Sequence, residues 1–249
     1  MTRKDGSPVP GYAPLCDTAN GHCPLCPLLD GTNHVLGGCD NPLMEARYTA
    51  RHNNAVLHIH NAVRQGSLGA YYTVLDATSL TNLPPGVSDN RLPKWLLPGV
   101  SSRDRERMRP DMLVVEGLLD KHVKSMVFGS HAYRTLKRKC IVHVLEVGYC
   151  AESRHTETLE IKKQQHAELL SALIRDGWTV HNGGIDVVLL GTVGTVFKPF
   201  TEIMQTLQIP TAVTKSTIRT LSVHAVKTAH SIVLSRRELE HPTRDQQPP

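Results

Sequence analysis

Apolar residues recur along the first half of this chain with two different periods. Residues 42–64 predict an amphipathic helix, ended by Gly66, because one helical face collects Ala55, Val56, Ile59, Ala62 and Val63. Three shorter runs, at residues 71–76, 112–116 and 140–149, are rich in β-branched and aromatic residues and predict strands.

The second half continues the alternation of helix and strand. A helix is predicted over residues 157–175, with an apolar face formed by Leu159, Leu170, Leu173 and Ile174. Lys162, Lys163 and His166 fall within the same arc, where leucines would be expected. A lysine there either extends outward from the helix end or faces a buried carboxylate or a metal site. The periodicity does not separate Lys162 from Lys163.

The last third of the chain predicts one more strand and a helical tail. The strand begins at residues 178–180 and is carried on through residues 186–196. Residues 201–240 are predicted to form a C-terminal helical pair, since apolar residues recur at helical intervals from about residue 211 to residue 240. Residues 241–249 predict a disordered tail.

Composition narrows the class of protein. The chain has 249 residues, 40% of them hydrophobic and 20% charged, which is typical of a globular protein with one ordinary domain and a small appendage. Residues 1–15 are rich in proline and glycine, predict a flexible lead-in and suggest a fragment of a longer natural chain. No apolar run approaches membrane-spanning length and the first residues are not signal-like, so we expect neither membrane insertion nor secretion.

Residues 16–45 predict a zinc finger with three cysteine ligands and one histidine ligand. Two cysteines stand two residues apart and are followed by one histidine and a further cysteine: Cys23, Cys26, His34 and Cys39. Cys16 is a spare thiol or an alternative ligand. The competing interpretation is a surface histidine beside cysteines that act as small core residues. Zinc-bound thiolates favour a reducing compartment, so we expect a nuclear or cytoplasmic protein.

Two carboxylates and a lysine are candidates for metal-dependent chemistry. Asp111 stands at the mouth of the apolar run 112–115, and Glu146 interrupts the β-branched run 140–149. A carboxylate inside a buried strand is costly unless it is paired or binds a metal, although a structural ion pair would also explain it. Two such acids with a nearby lysine can hold Mg²⁺ and activate water, which is the chemistry of phosphodiester cleavage. Asp76, at the end of another predicted strand, is a further candidate.

Basic residues are consistent with a polyanionic partner. The formal net charge is +5, with 14 histidines in addition. The candidates for phosphate contact form three groups: Arg51 and His52; Arg105, Arg107 and Arg109; Lys137, Arg138 and Lys139. For the first group the alternative is a solvated surface, and for the second it is a solvated, self-paired stretch.

The order of these motifs resembles the carboxy-terminal part of non-LTR retrotransposon polyproteins whose endonuclease is similar to restriction enzymes. The resemblance covers residues 23–240 and rests on the finger, the Arg-His helix, Arg109-Pro110-Asp111 and three short motifs. These motifs are Leu-Pro-x-Trp-Leu-Leu-Pro from residue 92, Glu-Val-Gly-Tyr-Cys from residue 146, and Lys-x-x-Gln-His from residue 162. The resemblance implies an α/β fold with a PD-(D/E)xK core over residues 46–200, formed by a small mixed sheet flanked by helices.

The resemblance also implies an activity. Such a protein nicks target DNA at an insertion site with catalytic Mg²⁺ or Mn²⁺, and the freed 3′-hydroxyl primes reverse transcription. Asp111 matches the first metal ligand, Glu146 the second acid, and Lys162 a lysine that has moved from the strand to the following helix; Lys163, His166 and Asp76 are further candidates. The finger, with structural Zn²⁺, sits between polymerase and nuclease in the family. Target DNA and element RNA are the expected partners, with a reverse transcriptase domain on the same natural polyprotein.

Three departures from the family pattern qualify these expectations. Gly148 stands where the simple motif has lysine, and 34 residues separate Asp111 from Glu146, which requires a long hairpin or an insertion. No polymerase motif is present, so these residues cannot carry out reverse transcription. The alternatives are a nucleic-acid-binding module with a decayed site, and a zinc-stabilised scaffold for protein partners.

Overall fold

The computed structural model describes residues 21–76 and 83–240. The predicted lead-in, Cys16 and the predicted disordered tail lie outside the described residues. Within them the strands are β1 Tyr72–Leu75, β2 Met112–Glu116, β3 Ile141–Cys150, β4 Thr179–Val180 and β5 Asp186–Gly191. The helices are α1 Thr32–Gly37, α2 Pro42–Val63, α3 Ser102–Arg107, α4 Asp120–Ser125, α5 His131–Lys137, α6 His155–Gln165, α7 Ala167–Arg175, α8 Pro199–Thr206 and α9 Thr211–Glu240.

The five strands form one mixed sheet. The order β1-β2-β3 is antiparallel, and both β4 and β5 pair with β3 in parallel. Met112 pairs with Leu145, so the residue before β2, Asp111, comes next to Glu146 in the middle of β3. The predicted α/β class is therefore confirmed at the level of a small mixed sheet with helices.

Alternating side chains divide the core between the two faces of the sheet. One face carries Met112 and Leu145 and packs against residues of α2, α8 and α9, among them Ile59, Phe200 and Leu221. The other face packs against α7 and the loop before α3, and its cluster contains Leu113, Val142, Val144, Leu169 and Leu173. Glu146 lies two residues after Val144 in β3, so its side chain points to the face that α7 covers.

An insertion with two short helices explains the long spacing between the two candidate acids. β2 and β3 are antiparallel neighbours, and the segment that joins them contains α4 and α5. The sequence leaves a long hairpin and an insertion as alternatives; the structure has a helical insertion. The two acids are far apart in sequence but adjacent in the sheet.

Three predicted elements have different boundaries in the structure. The helix over residues 157–175 is two helices, because His166 leaves helical geometry at φ −105° and ψ 9° and its side chain is buried. The strand over residues 178–196 is two strands, β4 and β5, separated by a turn in which Asn182 has φ 49°. The tail contains two helices, but α9 alone fills residues 211–240 because no glycine or proline interrupts it. Among the described residues, no helix is long and apolar enough to cross a membrane.

Candidate functional site

The carboxylate of Asp111 is held where β2 begins. Its Oδ2 accepts a hydrogen bond of 2.6 Å from the backbone N–H of Val147, and its Oδ1 lies 2.8 Å from Nε2 of His52 in α2. The backbone N–H of Asp111 lies 3.4 Å from Oε2 of Glu146. The antiparallel register of β2 and β3 therefore places the two candidate acids side by side, with a histidine from a third element beside them.

Glu146 is buried, with its side chain 5% exposed, and both of its carboxylate oxygens have basic partners. Nζ of Lys162 lies 2.6 Å from Oε1, and Nε2 of His166 lies 2.9 Å from Oε2. Lys162 extends from the last turn of α6, and His166 occupies the break between α6 and α7. The end of α6 thus delivers both partners to one carboxylate, which accounts for polar residues on a face where leucines would be expected.

The structure distinguishes the two adjacent lysines. Lys163 is exposed and pairs with Glu160 on its own helix at 3.2 Å, whereas Lys162 turns inward to Glu146. Glycine at position 148 provides the space: a Cβ built there would lie 3.4 Å from Cε of Lys162 and 3.0 Å from Cδ2 of Leu189. The stem of Lys162 therefore runs beside the position where the simple motif would place its own lysine.

The pKa values of the two acids and of His52 are shifted in different directions by their surroundings. Burial raises the pKa of Glu146, but the close contact with His166 and the charge of Lys162 outweigh it and lower that pKa to about 2. Burial also raises the pKa of Asp111, and the charge of Glu146 adds to this rise against the contacts from His52 and Val147. The pKa of His52 is raised, because its contact with Asp111 outweighs the effect of burial.

The third candidate acid, Asp76, lies beside Asp111. Oδ1 of Asp76 is 3.4 Å from a guanidinium nitrogen of Arg109, and the backbone N–H of Asp76 donates to the carbonyl oxygen of Asp111 at 3.0 Å. Arg109 also lies 3.6 Å from Glu106. Arg109 is thus part of an ion-pair network next to the two acids.

The basic residues predicted to contact phosphate are distributed unevenly. Arg107, Arg138 and Lys139 are exposed, and Arg105 is half-buried and donates to the carbonyl oxygen of Val100.

Two other residues predicted to contact phosphate, Arg51 and Lys137, are not exposed for such a contact. Arg51 is buried, with its guanidinium 4.3 Å from the ring centroid of Tyr149, and two of its nitrogens have no hydrogen-bond partner among the described residues. Lys137 is buried and pairs with Asp176. Both side chains lie against aromatic rings, whereas contact with phosphate would require them to be exposed.

The N-terminal cysteines and histidine form a candidate metal centre. The ligand atoms of Cys23, Cys26, His34 and Cys39 all lie within 4.8 Å of one another. Sγ of Cys26 is 3.3 Å from Nε2 of His34, and the Sγ atoms of Cys23 and Cys39 are 4.0 Å apart. Three sulfur atoms and one imidazole nitrogen at such separations can bind a structural zinc ion. In the metal-free cluster, burial raises the pKa of the Cys39 thiol to about 12.

The finger packs against the end of α9. The cluster around Cys23 and Cys39 includes Met44 of α2 and Ile232 of α9. The guanidinium of Arg236 donates to both carboxylate oxygens of Asp30, and the pair is almost fully buried. The N-terminal and C-terminal segments described here are therefore fixed to each other.

Sequence reasoning gave His52 a different role from its contact in the structure. His52 was predicted to contact phosphate, whereas its ring contacts Asp111. Helical periodicity places His52 mostly off the apolar face of α2, and it does not say which strand end that side of the helix meets. Comparisons of the chain with protein-family models and with curated proteins return no match.

Proposed function

We propose that this protein is a metal-dependent DNA endonuclease of the PD-(D/E)xK type, related to the endonucleases of non-LTR retrotransposons. The observation that carries the proposal is the convergence of Asp111, Glu146 and Lys162 from β2, β3 and α6. Metal-dependent phosphodiester cleavage of this type uses two acids and a lysine. The first acid stands where one strand begins, the second lies in the middle of the adjacent strand, and the lysine contacts the carboxylate of the second acid.

The donor set fits a hard divalent cation. The backbone N–H of Asp111 lies 3.4 Å from Oε2 of Glu146, and burial together with the charge of Glu146 raises the pKa of Asp111; Mg²⁺ or Mn²⁺ would relieve the repulsion between the two charges. Asp111 and Glu146 would hold the cation, which would lower the pKa of bound water and stabilise charge on the phosphoryl group.

The protein's own groups would orient the water and the acids. The side chain of Lys162 is 25% exposed, so its ammonium group would contact an attacking water while it stays paired with Glu146. His52 and His166 hold Asp111 and Glu146 in place from opposite helices. Exposed Arg107 would contact the DNA backbone near this cluster.

The biological setting is part of the proposal. The nick would serve insertion of a retrotransposon, with element RNA as a second partner and a reverse transcriptase domain supplied by the same natural polyprotein. The finger, with Zn²⁺ bound, would help to grip nucleic acid.

Nicking of supercoiled plasmid tests the activity. A plasmid pool that carries random inserts covers the case of a strict target sequence. We expect Mg²⁺ or Mn²⁺ to support conversion to open circles by the wild type, and neither EDTA-treated protein nor Asp111→Asn to convert plasmid. Salt-dependent DNA binding without any conversion of the pool would instead identify a binding module with an inactive site.

A further inference from the structure

A cavity with aromatic walls contains none of the residues of the acidic cluster. It measures about 530 Å³ and is lined by Trp95, Phe128 and Tyr133 together with residues of α5 and the end of α7. The rings of Trp95 and Phe128 are nearly parallel, with centroids 5.6 Å apart and an angle of 9° between their planes. Tyr133 meets Phe128 edge-on and donates its hydroxyl to the carbonyl oxygen of Trp95 at 2.7 Å. The aromatic surface is therefore already formed by fixed contacts.

Part of this aromatic surface is open. Phe128 is 44% exposed although Trp95 covers one of its faces. A large apolar ring left open in a concave site is a feature of ligand-binding surfaces. The cavity thus offers a flat, apolar contact to a planar group.

Guanidinium groups border the same cavity. Arg134 and Arg138 line it and are exposed, and within residues 21–76 and 83–240 neither forms an ion pair with a carboxylate. Lys137 is different, because Asp176 neutralises it and its ammonium lies 5.0 Å from the ring centroid of Trp178. The two arginines are thus the cations available to an anionic ligand.

We propose that this cavity binds an unpaired base of single-stranded nucleic acid. The base stacks on the ring face of Phe128 that Trp95 does not cover, and Arg134 and Arg138 bind the adjacent phosphate. Stacking on aromatic rings beside cations that follow the backbone is the general mode of single-strand binding, and guanidinium matches phosphate in bidentate geometry. The inference rests on the proposed function for its ligand class, since a DNA nuclease binds polynucleotides and a nick frees a strand end that can separate from its complement.

The fluorescence of the chain reports on this site directly. The protein contains two tryptophans, and both Trp95 and Trp178 belong to the aromatic cluster, with ring centroids 6.1 Å apart. The full-length chain carrying Asp111→Asn is titrated in Mg²⁺-free buffer with short oligothymidylate, and separately with an abasic oligonucleotide of equal length. We expect oligothymidylate to quench the emission and to bind about tenfold or more tightly than the abasic strand, because each stacked base contributes appreciably.

Variants separate the base contact from the phosphate contact. Phe128→Ala should weaken oligothymidylate binding by about tenfold and leave abasic binding unchanged. The double variant Arg134→Ala/Arg138→Ala should weaken binding of both strands and reduce the dependence of affinity on salt. Val127→Ala is the matched control, because Val127 is the exposed neighbour of Phe128 and does not line the cavity; its binding should equal that of the parent.

Equal affinities for the thymidylate and abasic strands, or an unchanged affinity in Phe128→Ala, would overturn the inference. Plasmid nicking by the wild type, measured in parallel, keeps the two proposals apart. Nicking without preference for the base-containing strand retains the nuclease and rejects the base site. Preference for that strand without nicking retains the base site and rejects the nuclease.

Discussion

The carboxyl groups of Asp111 and Glu146 are neighbours, and the surrounding protein shifts their pKa values in opposite directions. Glu146 is surrounded by Lys162 and His166, which favour its charged form. Asp111 is buried beside a like charge, which disfavours its charged form. The charge of Glu146 therefore stabilises the metal-free fold, whereas the charge of Asp111 destabilises it.

Neutral isosteres of the two acids should consequently have opposite effects on stability. We expect Asp111→Asn to raise the melting temperature in metal-free buffer, since the amide oxygen can still accept from Val147 while the repulsion with Glu146 is removed. Glu146→Gln should lower it by an amount that corresponds to about 1–3 kcal/mol, because one basic partner loses its acceptor. Differential scanning calorimetry measures both; a lower melting temperature for Asp111→Asn would contradict this account.

The lowered pKa of Glu146 predicts a dependence of stability on pH. A carboxyl whose pKa falls from 4.5 to about 2 on folding contributes its full stabilisation above pH 4.5 and loses it as the pH falls towards 2. Urea unfolding of the wild type at several pH values across that window should therefore show a decline that is shallower in Glu146→Gln. Parallel curves for the two proteins would show that Glu146 is not the group responsible.

The two adjacent lysines provide a matched pair for activity. Lys162→Ala should reduce plasmid nicking by about a hundredfold or more, because it removes the ammonium group beside Glu146. Lys163→Ala should nick like the wild type, since Lys163 pairs with Glu160 on the exposed face of α6. The reverse order of the two rates would move the catalytic assignment to Lys163.

Zinc content can be tested ligand by ligand. We expect about one zinc per chain by elemental analysis of the wild type, and loss of zinc together with a lower melting temperature in Cys26→Ser and Cys39→Ser. Cys140→Ala is the control, because Cys140 is buried in the cluster around α7 rather than at the finger. Stoichiometric zinc in Cys39→Ser would exclude Cys39 as a ligand.

The buried ion pair between finger and tail should couple more strongly than an exposed pair. For Asp30 and Arg236, a double-mutant cycle with Asp30→Asn and Arg236→Gln should give a coupling free energy above about 1 kcal/mol. For Arg154 and Glu157, both more than half exposed, the corresponding cycle should give less than about 1 kcal/mol. Chemical denaturation of the seven proteins, with the wild type common to both cycles, measures both couplings, and equal couplings would show that burial is not decisive here.

Local pattern was sufficient to predict the strands that carry the acids. Residues 112–116 were predicted as a strand and form β2, and Glu146 stands out because a carboxylate interrupts a β-branched run. The four cysteine and histidine ligands were predicted from spacing alone and lie close together. These features are local in sequence, so a pattern of a few residues is enough to define them.

Features that depend on long-range contacts were not available from pattern. The helical period of α6 does not distinguish Lys162 from Lys163. The side chain of Lys162 turns inward because it pairs with Glu146, which lies 16 positions away on another element. Arg51 was interpreted as exposed, yet it packs over Tyr149 from β3. The contact of His52 with Asp111 spans 59 positions. Each outcome depends on how elements pack, which the helical or strand period of one segment does not encode.

The packing beside Gly148 limits the side chains that β3 can carry at this position. A Cβ there would lie 3.0 Å from Cδ2 of Leu189 and 3.4 Å from Cε of Lys162. A larger residue at position 148 would therefore compete with Lys162 for the space through which its ammonium group reaches Glu146. The small size of residue 148 thus keeps open the path by which a lysine of α6 reaches a carboxylate in the middle of β3.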